Sequence, residues 1–161
     1  MFSATNQKTA YILVGIPASG KSTWINAQRW IDDNVVVTST DKFVEDYAKA
    51  QGKTYSEVFD EFMPEAVNLM VNEVLDAIDK EKDIVWDQTS TTRVSRAKKI
   101  RMLDGYKKVA LVFSTPASNE LNRRLSTRPG KDIPRHVVKG MIDFFEEPTL
   151  DEGFDEIWRA A

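Results

Sequence analysis

The sequence predicts an α/β fold built on a mostly parallel sheet, and three observations predict it. Short, β-rich apolar runs alternate with helical patterns along the whole of the 161 residues. The first run leads straight into a glycine-rich turn and then a helical segment. No repeat, linker or low-complexity tract breaks the alternation, so one domain over residues 1–161 is expected, long enough for a real core.

The elements follow in order. Residues 10–15, "AYILVG", read as a buried strand closed by glycine, and "STWINAQRW" as the helix after the turn. "VVVTST" (35–40) is a second buried-type strand, closed by Asp41. From Lys42 to Lys80 the pattern is helical, broken near Gly52 and at Pro64. Apolar residues recur at 3–4 spacing from Ala66 to Ile78. A proline suits a first turn or a kink, so a division at Pro64 is expected. "DIVWD" (83–87) is the third strand, "VSRAKKIRML" a basic helix, and "KKVALVFS" (107–114) the fourth strand. A helix over 117–126, a breaker-rich connection "TRPGKDIP" (127–134), a helix over 134–146 and an edge strand in "FDEIWRA" complete the chain. Strands alternating with helices in this way imply helices on both faces of the sheet.

Composition bounds the chemistry. There is no cysteine, so disulfides, thiolate metal sites and a cysteine nucleophile are excluded. Nothing resembles an 18-residue apolar span, and Met1–Thr9 is polar, so neither export nor membrane insertion is indicated and a cytoplasmic location is expected. The net charge of −3 is unevenly spread. Residues 93–139 hold 13 Lys/Arg against 3 Asp/Glu, which suggests one anion-facing side.

"GIPASGKS" fits the pattern G-x-x-x-x-G-K-[ST] at Gly15, Gly20, Lys21 and Ser22. In such a loop backbone N–H groups wrap a β-phosphate, the lysine supplies charge to the β- and γ-oxygens, and the hydroxyl is placed for Mg²⁺. The candidate nucleotide-binding set is Gly15, Ala18, Ser19, Gly20, Lys21, Ser22 and Thr23, with Arg124 from further along the chain, and ATP and Mg²⁺ are the implied ligands. No N-K-x-D tetrapeptide occurs, against a guanine-specific GTPase, and 161 residues leave little room for a motor's accessory domain. A small P-loop kinase remains, and phosphoryl transfer then needs an activating carboxylate, an acceptor surface and mobile cations.

Asp41 and Asp87 stand at adjacent strand ends, where open α/β sheets place ligands. Each can serve as base, acceptor ligand or magnesium ligand through water, or can merely cap a helix. Arg124 and Arg128, four residues apart and so expected on one helix face before a Pro-Gly break, are placed to close over a transferring phosphoryl group. Arg123 is as readily a solvated helix-end residue, His136 reads as surface, and Trp86 as core. "DQTSTTRVSRAKK" offers Asp87, Thr89 and Arg93 to an acceptor, and its Arg93, Arg96, Lys98 and Lys99 suit a phosphate-bearing one.

"GIPASGKSTW", Asp41 after the second strand, "DQTS" after the third and "RRLSTRPGKDIP" as a lid are ordered and spaced as in the kinase domain of bacteriophage polynucleotide kinase, which this sequence resembles over about 11–145. The wider group includes P-loop kinases of phages and related animal proteins. The resemblance implies five parallel strands in the order 2-3-1-4-5, an arginine-bearing lid at about 124–134, and transfer of the ATP γ-phosphate to a nucleic-acid 5′-hydroxyl. A hydroxyl on a modified base is a variant of that acceptor, and a nucleoside or other small molecule an alternative to it. The resemblance further implies that Lys21 and Ser22 bind ATP and Mg²⁺, that Asp41 is the general base, and that Arg124 and Arg128 are lid cations, Arg128 serving the transition state. It also implies a bacterial host cell's cytoplasm if the chain is phage-encoded. One position departs from the pattern. The family base is followed three residues on by an arginine that holds acceptor phosphate, and here that residue is Val44. Lys42 is adjacent, but points roughly 160° away on a helix.

Overall fold

A computed structural model describes residues 7–160. Five strands, β1 (Thr9–Val14), β2 (Val35–Thr38), β3 (Asp83–Trp86), β4 (Lys107–Val112) and β5 (Glu156–Arg159), form one sheet in the order β2-β3-β1-β4-β5. Every pairing is parallel. The fold class, the strand order and the C-terminal edge strand are therefore as the sequence predicts. Thr38 is in register with Trp86, and Trp86 with Ile12. The segments that leave β1, β2 and β3 thus emerge together at one end of the sheet.

The three central strands, β1, β3 and β4, are buried on both faces along most of their length, as continuous apolar runs require. One face packs Ala10, Ile12, Val14, Ile84, Trp86 and Ala110 against helix α3 (Tyr55–Asp79) and against Leu103 and Ile100 at the end of α4 (Arg93–Met102). On the other face Leu13, Val85, Leu111 and Phe113 pack with Trp24 and Ile25 of α1 (Lys21–Ala27). Trp86 is 1% exposed, a core residue as expected.

Helix α2 (Thr40–Gln51) ends at Gly52, where the sequence places a break. The division expected at Pro64 does not occur. Helix α3 runs unbroken through Pro64 because that residue is on its solvent side, while Val58 and Ala66 on either side are buried against Val44 and Ala48 of α2. The carbonyl of Asp60, which loses its partner N–H, belongs to an exposed residue.

The connection after α5 (Ser118–Ser126) spans residues 127–134 and leads to α6 (Arg135–Asp143). Arg124 lies in the last turn of α5, and Arg128 lies beyond its end. The two are not on one helix face, as the four-residue spacing suggested. Thr127 closes the helix, its hydroxyl donating to the Arg124 carbonyl at 3.1 Å, and Pro129 disfavours helical backbone at Arg128.

Candidate active site

The loop between β1 and α1 has the form of a phosphate cradle. Gly15 fits where it does because a Cβ there would stand 2.6 Å from Ser19 Oγ and 2.9 Å from Phe113 Cβ. Its N–H donates to the Thr89 carbonyl at 2.9 Å, so Thr89 enters the site through its backbone and ties the β3 loop to the cradle. Ala18 and Gly20 take positive φ, 65° and 103°, which turns the loop over the start of α1. Ser22 and Thr23 are exposed in the first turn of that helix.

Lys21 folds back into the cradle. Its Nζ donates to the carbonyls of Gly15 at 2.8 Å and Ile16 at 2.7 Å. Burial pushes its ammonium down to about 8, while the charges of Asp87 and Asp41 pull it back up and Arg128 pushes it further down. A cation disfavoured by its own surroundings is one that an anion would stabilise.

Neither candidate carboxylate caps a helix. Ser39 is the N-cap of α2, its Oγ accepting from the Lys42 N–H at 3.3 Å, which leaves Asp41 free in the first turn. The N-cap of α4 is Thr92, and Asp87 stays at the mouth of β3, its N–H donating to the Thr38 carbonyl at 2.8 Å. Burial raises the Asp87 carboxyl, with Lys21 acting in the opposite sense. Asp41 is half exposed, and its Oδ1 accepts a 2.5 Å hydrogen bond from the Tyr55 hydroxyl.

Arg124 and Arg128 make different contacts. Arg124 Nη1 donates to the Ala18 carbonyl at 2.9 Å, tying α5 to the cradle. Arg128 Nη1 is buried and finds no hydrogen-bond partner among the described residues. Its charge is near enough to lower the pKa of both Lys21 and Tyr55, against burial of the phenol in the second case. Arg123 is an exposed partner of Glu120, and His136 is exposed.

The basic stretch after β3 is not the open anion-binding face that its charge suggested. Arg96 is fully buried, pairing with Glu152 at 2.8 Å and donating to the Ser90 carbonyl at 2.9 Å. Lys99 is buried above the Trp86 ring. Arg93, expected at the acceptor, donates to Thr149 Oγ1 at 2.8 Å and stands 3.4 Å from Asp151. The acids of residues 151–152 fold back over α4 from far along the chain, which a linear charge count cannot register. Lys42 is likewise turned away, bonded to Glu73 and to the Val37 carbonyl. Val44 is completely buried between α2 and α3, so this position points into the core.

Three site residues escaped the sequence reading: Glu45, Tyr55 and Lys131. Lys131 pairs with Glu45, lies 3.9 Å from Asp41 Oδ2 and sits over the Tyr55 ring at 4.6 Å. The signal for Tyr55 was present as a capping box, Thr54 with Glu57 three residues on, which places Tyr55 at the first position of α3. Among the described residues no group of three or more His, Cys, Asp or Glu is gathered to hold a metal ion, and no helix is long and apolar enough to cross a membrane.

The family model described as AAA domain matches residues 11–148. The bifunctional polynucleotide phosphatase/kinase of Schizosaccharomyces pombe is 24% identical over 161 residues, covering 97% of this chain and 34% of that protein. The chain thus spans about a third of the curated relative that it matches. A fungal RNA kinase structure superposes with a TM-score of 0.58 at 14% identity, over 96% of this chain and 75% of that one. A gluconokinase from Sinorhizobium meliloti superposes at 0.50 with 16% identity, over 94% and 81%. At such identities the structural likenesses are likenesses of fold.

Proposed function

The chain belongs to the AAA domain family that matches residues 11–148, and from that premise we propose that it is an ATP-dependent kinase acting on a hydroxyl of a nucleic acid, most simply a 5′-hydroxyl end. The observation that carries the reading is Arg128, whose buried Nη1 has no hydrogen-bond partner among the described residues and whose charge, like those of Asp87 and Asp41, acts on Lys21. A buried guanidinium nitrogen with no protein partner, beside a phosphate-binding loop, fits a transferring phosphoryl group.

In this reading Gly15, Ala18, Ser19, Gly20, Lys21, Ser22 and Thr23 hold the triphosphate, and Arg124 keeps the loop in shape through Ala18. Asp41 takes the proton of the acceptor hydroxyl. The hydroxyl oxygen forms the new bond to the γ-phosphorus as the bond to the β-bridging oxygen breaks and ADP leaves. Lys21 and Arg128 neutralise the charge on the transferring group. Ser22, with Asp41 or Asp87 through water, fits a Mg²⁺ site in which phosphate oxygens and water supply the other ligands, since this ion is seldom caged by protein alone. A Mg²⁺ ion held by these residues would supply charge neutralisation to the bound triphosphate.

The name of the curated relative and the fold of the RNA kinase support a nucleic-acid acceptor. One observation favours a second reading, a small-molecule acceptor. Arg96 and Lys99 are buried and Arg93 is ion-paired, so the surface beside Asp87 carries less positive charge than the sequence implies. The experiment offers labelled ATP with 5′-hydroxyl DNA and RNA oligonucleotides, DNA carrying hydroxylated bases, and a mixture of nucleosides and gluconate. Label on the polynucleotides supports the first reading. Label confined to small molecules overturns it in favour of the second.

A further inference from the structure

Tyr55 touches both the lid and the carboxylate assigned as base. The lid reaches it through backbone and side chain. The Ser56 N–H donates to the Gly130 carbonyl at 3.0 Å, and the Asp132 N–H donates to Ser56 Oγ at 2.7 Å. Gly130 takes φ 72°, and a Cβ there would stand 3.0 Å from the Thr54 side chain, so the lid is seated tightly on the first turn of α3. Between these two bonds Lys131 projects over the Tyr55 ring at 4.6 Å while pairing with Glu45. On its other side Tyr55 donates its hydroxyl proton to Asp41 Oδ1 at 2.5 Å.

We infer that Tyr55 is a positioning residue for the general base: when the lid seats on residues 54–56, the Tyr55 hydroxyl fixes the Asp41 carboxylate for proton acceptance. This rests on the function proposed above. The division of labour within the carboxylate follows from the geometry. Oδ1 is taken by the phenol, and Oδ2 has Lys131 at 3.9 Å, too far for a hydrogen bond. Oδ2 therefore remains the oxygen that receives the acceptor's proton, with the nearby ammonium compensating its charge. The phenol stays a donor throughout. Burial, and then the hydrogen bond and charge of Asp41, raise its pKa above the ordinary 10, so it does not ionise at working pH. Arg128 projects from the same connection that Tyr55 seats, so one docking event sets both the cation and the base.

The test compares wild type with Tyr55→Phe, which keeps the ring beneath Lys131 and removes only the hydroxyl, alone and in an Asp41→Asn background. Turnover is read on whichever acceptor of the panel above takes label. The expected result is a fall in kcat of about ten- to hundredfold, with the KM for ATP and the thermal midpoint unchanged. In the Asp41→Asn background the second change adds no further loss, because the hydroxyl acts through that carboxylate. An equal loss in both backgrounds, or no loss in wild type, overturns the inference. A readout independent of turnover is the Tyr55 hydroxyl proton by NMR. A protected downfield resonance, lost in Tyr55→Phe and displaced in Asp41→Asn, is expected, and its absence from the wild type also overturns the inference. Failure of polynucleotides to take label, with a small molecule labelled and the Tyr55 effects intact, overturns only the acceptor.

Discussion

Arg124 donates from Nη1 to the Ala18 carbonyl at 2.9 Å, across 106 residues of sequence, whereas the Nη1 of Arg128, four residues on, has no hydrogen-bond partner among the described residues. In the proposed function the first arginine supports the cradle and the second meets the transferring group. Replacing each by alanine is expected to give opposite kinetic signatures. Arg124→Ala loosens the loop and raises the KM for ATP, with a smaller effect on kcat. Arg128→Ala lowers kcat by about 10³-fold or more, with little change in KM. Steady-state kinetics with varied ATP separates the two.

Asp41 is expected to behave as a base and not as a helix cap, since Ser39 holds the capping position. Asp41→Asn should lower turnover by about 10²–10⁴-fold while ATP affinity, read by titration calorimetry, and thermal stability stay as they are. An equal loss of stability would return Asp41 to a structural role.

Lys21 gives nucleotide binding a pH dependence whose sign is fixed. Its ammonium is pushed down to about 8 in the free protein, and bound phosphates favour the charged form. Binding above pH 8 therefore takes up a proton. ATP affinity should be flat at neutral pH and fall by up to about tenfold per pH unit above 8. The free protein should show the linked effect in stability. Between pH 8 and 10.5 the unfolded lysine binds more protons than the folded one, so this residue's contribution rises with pH across that window. Calorimetry in buffers of different ionisation enthalpy counts the proton directly.

Val44→Arg restores the charge that the resembling enzymes carry at this position, and it is expected to unfold the protein, not to improve it. Val44 is completely buried with Ala48, Val58 and Ala66, and an unpaired cation there costs about 3–5 kcal/mol. Urea unfolding reads the loss.

Glu152 is expected to matter to stability and not to acceptor binding. Its removal by Glu152→Ala strands the fully buried Arg96 guanidinium, at a cost of about 3–5 kcal/mol. The same burial makes the salt dependence of the acceptor KM shallower than 13 cations over residues 93–139 would give. A KM series in potassium chloride measures the slope.

The donor half of the site was legible in the sequence because it is made by local backbone. Two glycines, a lysine and a hydroxyl within eight residues, directly after a strand, mark the cradle in the sequence, although Thr89 and Arg124 also tie it to distant parts of the chain. Asp41 and Asp87 were legible for a similar reason, each marking the end of a short apolar strand. The acceptor half was not, because it is made by side chains meeting across the fold. Lys131 meets Glu45 and Tyr55 only once the chain turns at Gly130, and Arg93 and Arg96 of α4 are paired with acids nearly sixty residues away. Pro64 misled for a third reason. Propensity argued for a break, and the buried residues on both sides of it outweighed that local cost.

The unbroken passage of α3 through Pro64 has a mechanical consequence. The helix is about 38 Å long, but the hydrogen bond missing at Asp60 divides it into a short arm that carries Thr54, Tyr55 and Ser56 and a long arm that carries Met70, Val74 and Ala77 in the core. The joint is the most compliant point of the rod. In the proposed reaction a tilt of the short arm with residues 127–134 would bend the helix where bending costs least, and the sheet on which the cradle stands would not need to move.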